Sequence, residues 1–209
     1  MGYDRGRYKK RTELKKKESV FEMFSKEQLE MLKFVEEGAD YLFFLNEEDY
    51  FPELVDLAVR KDGFFTLSTL SPKWITPERC LLAVKYDPLA IKAVPSQCLT
   101  EEVCLQAVQG DGRMLKHIEN PTYQVAYEGV FNRPEALKYV PDALKSCELC
   151  LMALDRDARA IKFMPQTEEY CVKAVKNSWK ALAFIEKQTP ELCMIAYEMN
   201  EEAEKLFRL

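Results

Sequence analysis

The chain is narrowed first by what it lacks. Its 209 residues contain one histidine, His117, so neither a histidine cluster nor a His-His-carboxylate metal site can be assembled. No run of about 18 apolar residues exists, which argues against a helical membrane span. The first 20 residues are basic without an apolar core, so no secretory signal is expected. Gly6 stands where a myristoylation signal beginning at Gly2 needs Ser or Thr. The G-x-x-x-x-G-K-[ST] pattern of a phosphate loop is missing, and Gly110-Asp111-Gly112 reads as a turn between helices. Among 35 acidic residues no spacing singles out a catalytic pair. No catalytic residue, metal or cofactor is therefore assigned, and a non-enzymatic protein is expected.

Charge is unevenly placed. Residues 1 to 17 hold Arg5, Arg7, Lys9, Lys10, Arg11, Lys15, Lys16 and Lys17 against Asp4 and Glu13, a net of +6. The whole chain is −5, so residues 18 to 209 carry −11. An acidic body is a poor nucleic-acid platform, because phosphate affinity comes chiefly from basic neutralisation. Residues 1–24 read as a basic, disordered tail, with weak contact to an anionic partner such as nucleic acid as the alternative role.

What is present is a recurring unit. Aligned on a small residue in the middle of a first helix, the anchors are Phe34, Ala58, Ala83, Ala107, Ala126, Ala153, Ala174 and Ala196. Successive spacings are 24, 25, 24, 19, 27, 21 and 22 residues. Seven or eight residues after most anchors comes a second apolar block, such as Ala90 to Val94, Ala136 to Val140, Ala160 to Met164 and Ala181 to Ile185. Apolar residues at i, i+3 and i+4 place one stripe on one side of a helix. Thr76, Thr100, Ser146, Thr167 and Thr189, each seven residues before its anchor, are good N-caps. Pro77 and Pro190 follow at the first helical position, and Pro95, Pro141 or Pro165 closes the second block.

The pattern predicts an all-α, solenoid-like array of about seven to eight short hairpins, 19–27 residues each. Each hairpin pairs a helix of about ten residues with one of about eight, joined by a turn at Asp87, Asp111, Asp157 or Asn177. Residues 25–209 are read as a single repeat domain with an irregular unit near 120–134, where the spacing shortens.

The seven cysteines lose most of their chemical promise in this register. Cys80, Cys104, Cys150, Cys171 and Cys193 lie three residues before an anchor, a position that Val55 and Tyr123 fill in two other units. That is a core slot, and cysteine there behaves as a small hydrophobe. Cys98 and Cys147 lie off the slot and are expected to be reactive. Cys147-Glu148-Leu149-Cys150 matches C-x-x-C, but no second pair stands at metal-site spacing. Free thiols in this number point to a reducing compartment: the cytoplasm, or host cytoplasm for a viral or effector protein, with the nucleus left open. Lys92, Lys116, Lys138 and Lys162 form the one recurrent charge, read as a solvated helix face with an acidic partner as the alternative.

The alternation of A-L-K-Y-V-P, a capped turn and C-x-x-A-[V/L], clearest in Ala136 to Ala153 and Ala160 to Val175, resembles a known family. It is the short helical-hairpin repeat of uncharacterised function found in tandem in large-DNA-virus, protist and bacterial proteins. The resemblance implies tandem hairpins and an accessory, effector-like or viral setting, and it lends no catalytic residue. The expected function is a protein–protein interaction module, in a viral or effector setting one that binds and modulates a host protein. Large aromatics in turns or off the core slots are the candidate partner contacts: Trp74, Tyr86, Phe131 and Trp179. The alternative is a nucleic-acid-associated accessory protein using its basic tail.

Overall fold

A hydroxyl before most of the α-helices and a polar residue after most of them divide this chain into short helices. The computed structural model describes residues 24–208, and every regular element among them is helical. Arg5, Arg7, Lys9, Lys10, Arg11, Lys15, Lys16 and Lys17 lie outside the described residues. Among the described residues no helix is long and apolar enough to cross a membrane. The chain divides into two units, Met1–Asp62 and Gly63–Leu209.

In the first unit, α1 (Lys26–Glu37) leads to a 3₁₀ helix (Ala39–Phe44), a 3₁₀ turn (Glu47–Asp49) and α2 (Pro52–Lys61). Ser25 opens α1 with a reciprocal capping box to Gln28, which satisfies two first-turn N–H groups. Val35, Leu42, Leu54, Val55 and Val59 are buried. The Tyr50 hydroxyl donates to the Leu42 carbonyl at 2.8 Å.

The second unit begins with α3 (Gly63–Thr69) and then alternates α and 3₁₀ helices. The α-helices are α4 (Pro77–Tyr86), α5 (Glu101–Gly110), α6 (Tyr123–Asn132), α7 (Cys147–Arg156), α8 (Glu168–Asn177) and α9 (Pro190–Met199). Each has ten residues. The 3₁₀ helices that follow them are Pro88–Ala93, Gly112–His117, Pro134–Tyr139, Ala158–Phe163, Trp179–Phe184 and Glu201–Leu206. The hydroxyls of Thr76, Thr100, Thr122, Ser146, Thr167 and Thr189 each accept the third-residue N–H of their helix. Each α-helix packs on the next, and each 3₁₀ helix packs on the next. Leu137, Leu149, Leu154, Ile161 and Leu182 are fully buried, each removal from water stabilising by about 1.5–3 kcal/mol.

The second helix of each pair is shorter and tighter than its sequence suggests: six residues of 3₁₀ rather than about eight of α. Asp87, Asp111 and Asp157 explain the form. Their N–H groups close the α-helix on the carbonyls of Ala83, Ala107 and Ala153. Their carboxylates then accept from Leu89, Arg113 and Arg159, two residues on, and start the next turn. Six residues between such a turn and an extended exit allow few i→i+4 bonds, so i→i+3 bonding prevails. Asn177 is not a cap of this kind. It is the last residue of α8, Ser178 takes the cap position, and the Asn177 amide donates to the Leu154 carbonyl at 2.9 Å.

The stretch near 120–134 differs most from its sequence reading. α6 has the common ten residues, and its cap Arg133 donates to the carbonyl of Gly129. The small residue in mid-helix is therefore Gly129, not Ala126, and spacings of 19 and 27 become 22 and 24. Gly129 lies flush against its neighbour, for a Cβ on Gly112 would fall on the Gly129 carbonyl oxygen. The shift also moves the core slot: Ala126 fills it, fully buried, and Tyr123 is 37% exposed.

Candidate functional site

The 3₁₀ side of the second unit has grooves where one pair meets the next. One, of 570 Å³, is lined by Lys138, Asp142, Lys145, Lys162, Phe163, Met164 and Pro165. Another, of 530 Å³, includes Lys92, Ser96, Leu99, His117, Ile118 and Glu119 in its wall. Counted from the mid-helix residues Ala83 and Gly129, Lys92 matches Lys138, Ser96 matches Asp142 and Leu99 matches Lys145. Counted from Ala107 and Ala153, His117 matches Phe163, Ile118 matches Met164 and Glu119 matches Pro165. The same local geometry thus produces two grooves with different chemistry.

Lysines in this layer lie against aromatic rings. The Lys162 ammonium is 4.1 Å from the Phe184 ring centroid, and Lys138 is 4.8 Å from Tyr139 and 6.0 Å from Phe163. Lys92 is 5.5 Å from Phe64. A ring face attracts a cation by its quadrupole, so these side chains are held in place while their N–H groups can still face solvent. Lys145 reaches Asp142 at 2.8 Å, and this ion pair holds the Asp142 carboxyl below its ordinary pKa. In the other groove the Nε2 atom of His117 is buried without a hydrogen-bond partner. Burial first, then Lys116 and Lys92, push the His117 imidazole below its usual pKa.

The candidate contacts read from sequence lie elsewhere, in separate pairs. Trp74 is half-buried, with the Arg79 guanidinium 5.2 Å from its ring and Arg79 donating to its carbonyl at 3.1 Å. Tyr86 is 59% exposed at the end of α4. Trp179 is half-buried beside Lys180. Phe131 is exposed on α6, with Arg156 4.2 Å from its centroid and Tyr127 stacked at 6.4 Å. Tyr123 continues that row, 6.2 Å from Tyr127, and its hydroxyl lies 3.2 Å from the Ser146 hydroxyl. The misplaced register hid Tyr123, because it put that ring in the core slot. None of the four candidates is among the residues lining the two grooves.

Cys80, Cys104, Cys150, Cys171 and Cys193 are buried, and burial is the first cause that raises each thiol above its usual pKa. That is opposite to the depression a nucleophilic thiolate requires. Cys98, expected to be accessible, is 4% exposed and interacts with Cys80. The linker carrying it turns inward through a short 3₁₀ helix, Ser96–Cys98. Cys147 is exposed. Among the described residues no group of three His, Cys, Asp or Glu side chains is placed to hold a metal. What the site offers is fixed cations, ring faces and open clefts, a set suited to binding. No protein-family model, curated protein or solved structure matches this chain.

Proposed function

We propose that this chain is a protein-binding module, a short helical solenoid whose 3₁₀ side receives an extended segment of another protein. The observation that supports this most is the pair of register-equivalent grooves, 570 and 530 Å³, on one layer of the second unit. Both combine apolar lining (Phe163 and Met164 in one, Ile118 and Leu99 in the other) with lysine and other polar side chains. An extended peptide has alternating side chains and backbone amides that suit such a wall. Stacked short units give an extended surface whose side chains can vary while the packing slots stay filled. In this reading the grooves, rather than Trp74, Tyr86, Phe131 and Trp179, are the principal contact.

Selection of a random peptide library on the immobilised full-length chain tests it. Enriched peptides should bind the purified chain in solution and lose affinity when Phe163→Ala and His117→Ala are combined, with the helical circular dichroism retained. Enrichment no greater than on a blank surface would overturn the proposal. So would peptides whose binding ignores both substitutions.

A further inference from the structure

We infer that the groove between the 3₁₀ helices Pro134–Tyr139 and Ala158–Phe163 is a site for an acidic protein segment, its anionic oxygens held by Lys138, Lys145 and Lys162. This rests on the protein-binding role and names the partner's chemistry.

The two register-equivalent grooves differ in their lining. Where one has Leu99, the other has Lys145, and where one has Glu119, the other has Pro165. The first difference adds a cation, the second removes an anion, and Asp142 in place of Ser96 returns one carboxylate, so the exchange leaves a net gain of one positive charge. The result is three lysines and one carboxylate lining a single cleft, within a body of residues 18 to 209 that carries −11. A local positive site on an acidic protein requires those lysines to be concentrated there against the general trend.

Placement supports the same reading. Lys138 and Lys162 lie against aromatic rings, so less side-chain freedom is lost when an anion arrives. A ring occupies one side of an ammonium and leaves donors on the other. Lys145 is only 14% exposed, and its partner Asp142 is 95% exposed. The Asp142 carboxylate therefore shows the kind of group this wall already accepts, and a ligand carboxylate can displace it outward into water. Phe163, Met164 and Pro165 supply contact area for the peptide's own stem and backbone. A long polyanion is a poorer occupant than a short acidic segment, since it must also lie along the acidic surface beyond the cleft.

Fluorescence anisotropy with the full-length chain decides the matter. The probes are a short labelled glutamate-rich peptide, its phosphoserine counterpart, the isosteric glutamine peptide and a single-stranded oligonucleotide, with inorganic phosphate as competitor. Both acidic peptides should bind, more weakly as salt rises, and the glutamine peptide should bind at least about tenfold more weakly. Preference between the glutamate and phosphoserine probes reports whether carboxylate or phosphate is the natural group, and competition by inorganic phosphate marks the latter. Lys138→Glu with Lys162→Glu should reduce affinity by about tenfold or more, whereas Lys176→Glu, at an exposed position of α8 that lines neither groove, should leave it unchanged. Lys138→Gln with Lys162→Gln gives the same answer should charge reversal perturb the fold.

Equal binding of the glutamine peptide overturns the charge assignment and leaves the protein-binding role standing. Failure of both acidic peptides overturns the acidic-segment site, and the protein-binding role then stands or falls on the random-library selection. Affinity that survives the lysine substitutions places the binding elsewhere on the chain and overturns the site. Tighter binding of the oligonucleotide than of any peptide overturns it as well.

Discussion

The carboxamide of Asn132 closes on Gly112: its Oδ1 accepts the Gly112 N–H at 2.9 Å while its Nδ2 donates to the Gln109 carbonyl at 2.9 Å. One side chain at the end of α6 thus holds the turn that follows α5. Gln166 does the same between later pairs, donating to the Phe184 carbonyl and accepting from the Glu186 N–H. Backbone groups at helix ends have no intrahelical partner, and these amides supply one from the adjacent pair. Asn132→Ala should therefore destabilise the protein by about 1–3 kcal/mol, read from urea unfolding. A loss no larger than that of an exposed alanine substitution such as Glu198→Ala would show that water replaces the amide without cost.

Gly112 and Gly129 face each other and should respond in opposite directions. A Cβ at Gly112 would overlap the Gly129 carbonyl oxygen, so Gly112→Ala must push two helices apart. The expected cost is about 1–3 kcal/mol of overpacking. A Cβ at Gly129 would sit 3.5 Å from the Val108 side chain and 3.6 Å from Leu115, ordinary contact distances. Gly129→Ala should fit and, by removing backbone freedom in mid-helix, stabilise by about 0.5–1 kcal/mol. Loss of stability in both variants would contradict the register that makes Gly129 the equivalent of Ala107 and Ala153.

How far the sequence could be read is decided by the range of each interaction. Thr76, Thr100, Ser146, Thr167 and Thr189 reveal helix starts because a cap bond spans three residues. Thr122 carries the same signal, but Gly129 reads locally as a helix breaker, and the alanine at 126 drew the alignment three residues off. The helix nevertheless runs through Gly129 to Asn132. The choice of 3₁₀ over α depends on hydrogen-bond partners, which residue types alone do not specify. The groove was half legible. Lys138 and Lys162 stand in a recurrent position, but the rings Phe163 and Phe184 belong to the following pair, and only packing brings them together.

Cysteine reactivity measures the core directly. In the native protein Cys147 should react rapidly with a thiol reagent, and Cys80, Cys98, Cys104, Cys150, Cys171 and Cys193 slowly until denaturant is added. The thiols raised by burial also link stability to pH. Taking Cys104, the folded value lies above the ordinary 9.0, so the unfolded chain releases its proton first. The stability held by the neutral thiol is complete below that value and declines as pH rises through it toward the folded value. Labelling of several buried cysteines in the native state, each as fast as Cys147, would mean that the helix faces are misassigned.

His117 gives a prediction of the opposite sign. Its Nε2 is buried without a partner, and the equivalent position in other pairs holds Tyr139, Phe163 or Phe184. His117→Phe should remove an unsatisfied polar atom and stabilise by about 1 kcal/mol near neutral pH. Because burial and the nearby Lys116 and Lys92 lower the folded pKa, the unfolded chain takes up a proton first as pH falls. Stability from the neutral imidazole is present above about pH 6.5 and is lost as pH falls through the folded value. Glu119 shares the groove, and its effect is common to both proteins. Urea titrations at about pH 7.5 and about pH 5.5 should therefore show a wider gap between His117→Phe and the parent at the lower pH. A gap that closes on acidification would require His117 to gain a proton more readily folded than unfolded, and the Nε2 atom would then have to meet an acceptor in the folded protein.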